Sequence, residues 1–354
     1  MEKTPYRRKT RKHETINSLT QAQKIIFAPM VFQAIGTLLD LGILKSLDEN
    51  PKSVTELMNT LNLDEYTVTT LLEVGAVADV VSQNKNNEFC ITQIGKTFLY
   101  DKMAIVNFNF IRHCCYLGAS ELTNSFKNSK PMGLKKFYNN SDKVYPVLPK
   151  MSKEFKDAWY SFDNHYSDNC FEIVHNIIMQ KSPEAIFDIG GNTGKFEKIY
   201  LKKSPNTKIT MLDLKENIDI VSQNKELEGC NFYPINVLDI NNKFPKLTGA
   251  VLMSQFLDCF SKSEIQSILS RIKNASNKGT SIFILEPFTD NQNFEGAKYS
   301  LVNTSLYFTC IANGNSKIYT KTEMLEIIKN VGLEICNIYE NIGVNDYTLL
   351  ECIV

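Results

Sequence analysis

The chain has 354 residues, 43% hydrophobic and 22% charged, which is too long for one ordinary domain at roughly 150 residues per domain. Gly 16 and Pro 11 exclude a collagen-like or low-complexity polymer. Lys+Arg 39 cancel Asp+Glu 39, so no net field draws the chain to nucleic acid or an anionic membrane. Nine scattered cysteines read as reduced thiols of a cytoplasmic protein.

The first 21 residues are basic (Lys3, Arg7, Arg8, Lys9, Arg11, Lys12) with no apolar core directly behind them; a solvated, disordered tail is expected, not an export signal. The apolar stretch Ile25–Leu44 contains Pro29, Gln33 and Asp40, which suits a helix at a protein interface better than one in lipid. Phe27, Val31, Ala34, Ile35, Leu38 and Leu39 give that helix one wide apolar face. Ser53 with Glu56 three residues on reads as a capping box opening a helix over 54–61, and Asp64 opens a second over 65–76. Strands over 80–82 and 88–92 flank a polar turn and pair as a hairpin. Two short helices and a hairpin make a winged helix spanning 22–100. From Ser53 to Gln83 there is no Lys or Arg, while Glu56, Asp64, Glu65, Glu73 and Asp79 are acidic; a duplex would repel this module, so it is expected to pack against protein.

Residues 101–181 read as helical, with a looser stretch over 130–150 that holds Pro131, Pro146 and Pro149. Helices over 105–117 and 159–178 are apolar and aromatic, and are expected to line a pocket. From 182 to 354 the pattern alternates. Strands are expected at 185–189, 208–212, 231–235, 250–254 and 281–285, helices between them, then helices over 294–310 and 322–331 and a closing strand pair at 334–339 and 347–353. Short apolar strands alternating with helices imply a mostly parallel sheet covered on both faces.

The first of these strands runs into Asp188-Ile-Gly190-Gly191-Asn192-Thr193-Gly194 and a helix follows. Such a turn lets a ligand approach the backbone and offers N–H groups to it. The second strand closes on Asp213, where a carboxylate can accept from both hydroxyls of a ribose. The dinucleotide fingerprint G-x-G-x-x-G fails, since Asn192 and Lys195 occupy the second and third glycine positions, and the P-loop fails because Phe196 follows Lys195. Asp188 at the loop's mouth suits an ammonium better than a pyrophosphate. S-adenosyl-L-methionine fits best.

These residues resemble a known family. Phe187-Asp-Ile-Gly-Gly-Asn-Thr-Gly194, Met211-Leu-Asp-Leu214, Tyr233-Pro-Ile-Asn-Val-Leu-Asp239 and Met253-Ser-Gln-Phe-Leu-Asp258 look like S-adenosylmethionine-dependent small-molecule O-methyltransferases of the plant caffeic-acid and bacterial polyketide type. Met253–Ser261 and Ser305–Ser316 resemble the bacterial branch associated with aryl polyene pigments. The resemblance implies an α/β fold: a C-terminal Rossmann-like class I methyltransferase domain behind an N-terminal, mainly helical winged-helix dimerisation domain. It implies a homodimer of secondary metabolism. It also implies that Asp188, Gly190, Gly191, Asn192, Gly194, Asp213 and Leu214 hold the cofactor, with Asn236 and Val237 beside its adenine and Ser254 and Gln255 near its adenosyl and methionyl parts.

The acceptor site departs from the family. A His-Asp-Trp run there supplies a general base; here the run is Leu257-Asp258-Cys259, with Leu257 at the histidine position, and Ile318 replaces a second family carboxylate. Glu286 survives at the end of the fifth strand. The methyl of a sulfonium is already activated, so alignment carries most of the catalysis and a positioned base adds ~10²–10⁴-fold. Glu286, Asp258 and His165 are the catalytic candidates; His113, Phe162, Tyr166, Leu257 and Tyr307 the substrate-binding ones. The expected reaction is methylation of a phenolic oxygen on a small aromatic substrate, with methylation of an ortho ring carbon as the alternative. A DNA-binding regulator and a nicotinamide-dependent dehydrogenase are the readings from other classes. Neither a metal nor a nucleic-acid or membrane partner is expected: His113-Cys114-Cys115 point to different helix faces.

Overall fold

A computed structural model describes residues 5–354, with side chains from Thr15 onward. The chain divides into two compact units that meet between Ile105 and Val106.

The first unit carries α1 (Pro5–Asp40), α2 (Ile43–Glu49), α3 (Val54–Leu61), α4 (Glu65–Val77), the hairpin β1 (Val81–Gln83) and β2 (Phe89–Ile91), α5 (Gln93–Tyr100), and the start of α6 (Lys102–Phe110). Much of the tail expected to be disordered is therefore helix, from Pro5 on; residues 1–4 lie outside the described ones. No Gly or Pro interrupts 6–28, and Lys, Arg, Gln and Ala there favour helix. The capping box holds: Ser53 N donates to Glu56 Oε2 at 2.7 Å and Glu56 N to Ser53 Oγ at 3.3 Å. Asp64 caps α4 by accepting from Thr67 N at 2.9 Å. Leu38 and Leu72 are fully buried, and a Cβ on Gly75 would stand 3.3 Å from Leu38, so α1 and α4 pack closely there. Toward its start α1 leaves Ile16, Leu19, Ile26 and Met30 exposed (48%, 59%, 62% and 68%). The stretch Thr15–Asp40 is long and apolar enough to cross a membrane by length and composition, with mean hydropathy 1.4.

The second unit continues with α7 (Leu122–Asn128), α8 (Lys153–Ser167), α9 (Phe171–Met179), β3 (Ala185–Ile189), α10 (Lys195–Lys203), β4 (Lys208–Asp213), α11 (Lys215–Val221), β5 (Asn231–Pro234), β6 (Ala250–Ser254), α12 (Lys262–Ala275), β7 (Ser281–Glu286), α13 (Glu295–Tyr307), α14 (Lys321–Val331), β8 (Glu334–Ile342) and β9 (Tyr347–Ile353). The sheet order is β5-β4-β3-β6-β7-β9-β8; the first five strands are parallel, and β9 runs antiparallel to both its neighbours, β7 and β8. One sheet face (Ile189, Val251, Met253, Ile282, Ile284) packs on Ile265, Ile268 and Ile272 of α12 and Met324 and Ile328 of α14. The other (Ile186, Ile209, Leu252, Phe283, Leu285) packs on Val174 and Ile178 of α9 and Phe196 and Tyr200 of α10. Strand order reverses between β3 and β6, and α/β sheets open their ligand crevice at the carboxyl ends of such a pair.

Two helices differ from the pattern expected. The run over 159–178 breaks at 168–170, where Ser167 N–H bonding gives way to a turn closed by Cys170 N to Ser167 O at 3.1 Å. The helices over 105–117 and 294–310 each widen into a π-helical turn, Ile111–Cys115 and Phe308–Ala312. Both turns belong to the aromatic cluster described below; π-turns displace side chains from the regular helical stripe, which periodicity alone does not reveal.

Candidate active site

The loop after β3 is built for close approach. Gly190 (φ +83°) and Gly194 (φ +74°) lie in the left-handed region, as does Asn192 (φ +51°). A Cβ on Gly190 would stand 2.3 Å from the Phe256 ring, and one on Gly191 2.6 Å from Glu197 Oε1. Gly190 N donates to Leu212 O at 2.8 Å, stitching the loop to β4. At the end of β4, Asp213 accepts from Asn192 N at 3.0 Å, Leu214 N at 2.6 Å and Asn217 Nδ2 at 2.9 Å. Burial raises its pKa, while these three bonds to the charged form work the other way. Asp213 is thus an acceptor already held by three N–H donors at the end of β4. The residues fit a nucleoside with vicinal hydroxyls and a cationic amino-acid end.

Under the loop lies an acid pair that the motif reading missed. Asp188 is 2% and Glu197 0% exposed. Burial raises Asp188 to about 7, a hydrogen bond with Glu197 pulling the other way, and burial followed by the Asp188 charge raises Glu197 well above the carboxylate range. As two carboxylates, Asp188 Oδ1 and both Glu197 oxygens have no donor; with Glu197 protonated, its hydroxyl can donate to Asp188 and one of these needs is met.

Further along the crevice, Asn236 is exposed and its Oδ1 accepts from Leu238 N at 3.0 Å, closing its own turn. Val237 is buried and its carbonyl accepts from Arg271 Nη1 at 2.5 Å. Ser254 Oγ is buried without a partner. Gln255 (φ +48°) donates its N–H to Leu285 O, and its Oε1 accepts from Tyr347 Oη at 2.7 Å, so its amide serves the sheet.

The acceptor side differs from expectation in two respects. Leu257 is wholly buried and belongs to the core cluster that includes Ile189, Leu212 and Met253. Glu286 uses Oε1 to accept from Phe256 N (3.1 Å) and Leu257 N (2.8 Å), so it clamps the turn after β6. Its Oε2 is buried without a partner, and burial followed by the nearby Asp258 charge raises its pKa far above normal. The ionisable group this clamp presents is the next residue, Asp258, 7% exposed, whose Oδ1 accepts from Cys259 Sγ at 3.4 Å. Burial raises Asp258 to about 7, and the Asp163 charge adds to the rise.

An aromatic wall stands beside this turn. Phe162 of α8 stacks on Phe110 with centroids 4.0 Å apart, and Phe110 meets Tyr307 edge-on at 4.9 Å. Trp159 Nε1 donates to Tyr307 Oη at 2.7 Å, and Tyr166 Oη to Asn107 Oδ1 at 2.8 Å. Asp163, between Phe162 and Tyr166 on the same helix, accepts from Asn192 Nδ2 at 2.8 Å, tying α8 to the glycine loop; burial raises it to about 6. The structure therefore brings Phe162, Tyr166, Tyr307 and Asp258 into one neighbourhood. Of the histidines, His165 stands edge-on to Tyr166 at 5.2 Å, and His113 is half-buried in the π-turn 111–115. The sequence alone does not single out Asp163, whose partner Asn192 lies 29 residues away; Tyr145, whose phenol faces Cys259 and Asp258, lies in the stretch expected to be loose. Among the described residues no group of three or more His, Cys, Asp or Glu could hold a metal ion. A separate groove of about 570 Å³ opens at the amino ends of the strands, among Lys181, Glu184, Thr248, Lys278 and Glu351, and touches none of these groups.

Comparison with known proteins agrees with this geometry. Residues 149–334 match the O-methyltransferase domain model and 20–89 the Dimerisation2-like domain model. Strychnine O-methyltransferase of Strychnos nux-vomica is 24% identical over 161 residues, 45% of this chain and 43% of that protein; the chain thus spans less than half the length of this curated relative. Among solved structures, the mitomycin 7-O-methyltransferase MmcR superposes with TM-score 0.71 at 15% identity, over 97% of this chain and 99% of that one. Human N-acetylserotonin methyltransferase, solved with S-adenosylmethionine, gives 0.66 at 14% identity, over 94% and 97%. NcsB1, an O-methyltransferase from neocarzinostatin biosynthesis solved with S-adenosylhomocysteine and 1,4-dihydroxy-2-naphthoic acid, gives 0.68 at 15%, over 92% and 96%. At these identities the superpositions establish the fold.

Proposed function

Because this chain belongs to the O-methyltransferase domain family, we propose that it methylates a phenolic oxygen of a small, flat aromatic acceptor with S-adenosylmethionine as donor. The observation that carries this reading is the juxtaposition at one sheet edge of the Asp213-closed glycine loop and the Phe110–Phe162–Tyr307 wall, joined by the Asp163–Asn192 bond. The cofactor supplies a methyl group already activated on a sulfonium. The chain's own part is to grip, align and deprotonate. Asp213 accepts from the ribose hydroxyls, with Leu214 behind it; Gly190, Gly191, Asn192 and Gly194 leave backbone room; the Asp188–Glu197 pair and Ser254 face the amino-acid end. Asn236 and Val237 border the adenine side, and Gln255 holds the strand exit. Phe162, Tyr166 and Tyr307 sandwich the acceptor ring, whose flat apolar faces match theirs. Asp258, held by the Glu286 clamp, takes the acceptor's proton; His165 and His113 sit at the rim.

The N-terminal unit serves a homodimer in this reading. Ile16, Leu19, Ile26 and Met30 line one side of α1, an apolar stripe of the kind a second copy buries. The nine cysteines, all free thiols, support a reducing compartment, the cytoplasm.

The test is product analysis. The purified protein is incubated with methyl-labelled S-adenosylmethionine and a panel of monohydric and vicinal dihydric phenols. Label recovered as an aryl methyl ether supports the proposal. Label recovered as a ring C-methyl group would replace oxygen by the ortho carbon, and transfer to none of the panel would refute a phenolic acceptor.

A further inference from the structure

Asn192 ties three elements together. Its N–H donates to Asp213 Oδ2 at 3.0 Å, its carbonyl accepts from Asn217 Nδ2 at 2.7 Å, and its own Nδ2 donates to Asp163 Oδ2 at 2.8 Å. The residue stands in the left-handed region at φ +51°, where glycine is at ease and any side chain carries a backbone cost. Asn217 Nδ2 also donates to Asp213 Oδ2, at 2.9 Å. A count of acceptor sites on Asp213 gives the consequence. An ionised carboxylate offers about four lone-pair sites, shared equally by its two oxygens. Oδ2 is filled by Asn192 N and Asn217 Nδ2, whereas Oδ1 holds Leu214 N at 2.6 Å and keeps a site open. Vicinal hydroxyls bring a donor to each oxygen. The first takes the open site on Oδ1; the second meets a full Oδ2 and must displace a donor from it. Both donors there are the Asn192 peptide or the amide that grips it, so residue 192 shifts whichever yields. Its Nδ2 carries the shift to Asp163 on α8, beside Phe162 and one turn after Trp159.

Resting on the function proposed above, we infer that Asn192 is the relay through which the cofactor's ribose positions the acceptor wall: vicinal hydroxyls on Asp213 move the 192 peptide, and the Asn192–Asp163 bond moves α8 with it. Asn192 is a positioning residue, acting on the acceptor through Asp163. The aromatic face of α8 is set once the nucleoside is in place, so the donor precedes the acceptor, and each raises the other's affinity by the same factor. The ribose drives the relay and the sulfonium does not; S-adenosylmethionine and S-adenosylhomocysteine shift α8 alike. A second tie offers a rival route. Lys195 Nζ, at the start of α10, donates to Asp168 Oδ2 at the end of α8, at 2.6 Å. That partly exposed ion pair joins α8 to α10 and leaves the ribose acceptor out.

The chain carries its own reporter. Trp159 is its one tryptophan; its Nε1 donates to Tyr307 Oη at 2.7 Å, and the Tyr160 ring stands edge-on to it at 5.2 Å. Its emission reads the wall without any acceptor. S-adenosylhomocysteine and S-adenosylmethionine are each titrated into the full-length protein by calorimetry, and Trp159 emission is recorded at the saturating concentration so found for each variant. The inference predicts a shift of the emission maximum in the wild type, the same for both ligands. The shift is lost in Asn192→Gly and Asp163→Ala and kept in Asp163→Asn, whose amide oxygen still accepts; Lys195→Met keeps it too. Asn192→Gly suits φ +51°, so its folding is not at stake. A saturated wild type with unchanged emission overturns the inference. So does a shift that survives both Asn192→Gly and Asp163→Ala, or one that Asn192→Gly keeps and Lys195→Met loses. Should Asn192→Gly not bind the ligands, the two Asp163 variants decide: a shift kept in Asp163→Ala overturns the relay, and one lost there but kept in Asp163→Asn supports it. If neither ligand binds the wild type, the proposed function falls; binding without the shift leaves that function standing and removes the relay alone.

Discussion

Asp213 shows how one residue divides between structure and ligand. Its oxygens already accept from three nitrogens, so Asp213→Ala loosens the loop that Asn192 belongs to and, under the proposed function, also removes a ribose acceptor. S-adenosylmethionine affinity measured by calorimetry should fall by about 1.5–3 kcal/mol, the scale of bonds to a charged group. Glycines separate the same way. Gly190→Ala pushes a Cβ to 2.3 Å from the Phe256 ring at φ +83°, whereas Gly279→Ala, at φ +86°, meets nothing within 4 Å. Thermal melts should show only the backbone cost of roughly 1 kcal/mol for Gly279→Ala, while Gly190→Ala should lose more than that and lose cofactor binding as well. Asp213 and the glycines were legible because strand, turn and acid are consecutive in the chain and the turn dictates its own residue types. Asp163 and the pairing of Asp188 with Glu197 were not, because each depends on what folds against it. The full burial of Leu257 was not legible either, since the Glu286 clamp that holds its turn lies 29 residues away from it.

At the scale of elements, α8 joins the two halves of the site. Its residues Trp159, Phe162, Asp163 and Tyr166 bond or stack with α13, α6 and the glycine loop. Tyr307→Phe leaves Trp159 Nε1 without its acceptor; a loss of about 1 kcal/mol in denaturant unfolding, with a weakened KM for the acceptor and an unchanged cofactor affinity, is the expected outcome. The stripe on α1 carries a different prediction. Ile26→Lys with Met30→Lys places two charges on one helix face, and light scattering should show the proposed homodimer converted to monomer; an unaltered mass would exclude this stripe as the interface. Helix periodicity revealed α1's inner face and both capping signals. It could not reveal the π-turns at 111–115 and 308–312, since a one-residue excess in a helix leaves no trace where apolar residues lie on every side of it.

For the whole molecule, the buried acids govern stability against pH. Asp163 and Asp258 are raised to about 6 and about 7, above the ~3.9 of an unfolded aspartate. The folded state therefore binds more protons between about pH 4 and 7, so the contribution of these groups is full below that window and is lost as pH rises through it. Glu323 works in the opposite sense: despite partial burial, Lys262, the Thr320 N–H and Lys317 hold it at about 2, and its contribution is lost as pH falls through that value. The thermal midpoint of the cofactor-free protein should accordingly be higher near pH 5 than at pH 8. Asp163→Asn with Asp258→Asn should flatten that slope; an unchanged slope would place the titrating groups elsewhere. The mixed sheet and the helical N-terminal unit were readable from alternation and capping, because parallel strands buried on both faces must be short and apolar throughout. The strand order came from the structure.

The central claim is that the crevice between the glycine loop and Asp213 holds the nucleoside of the methyl donor. A crystal structure of the full chain with S-adenosylhomocysteine tests it most directly. The account predicts ligand density over Gly190–Gly194, with the ribose hydroxyls bonded to Asp213. Density in the groove at the amino ends of the strands, or a crevice still closed by the Phe256 ring at saturating ligand, would contradict it.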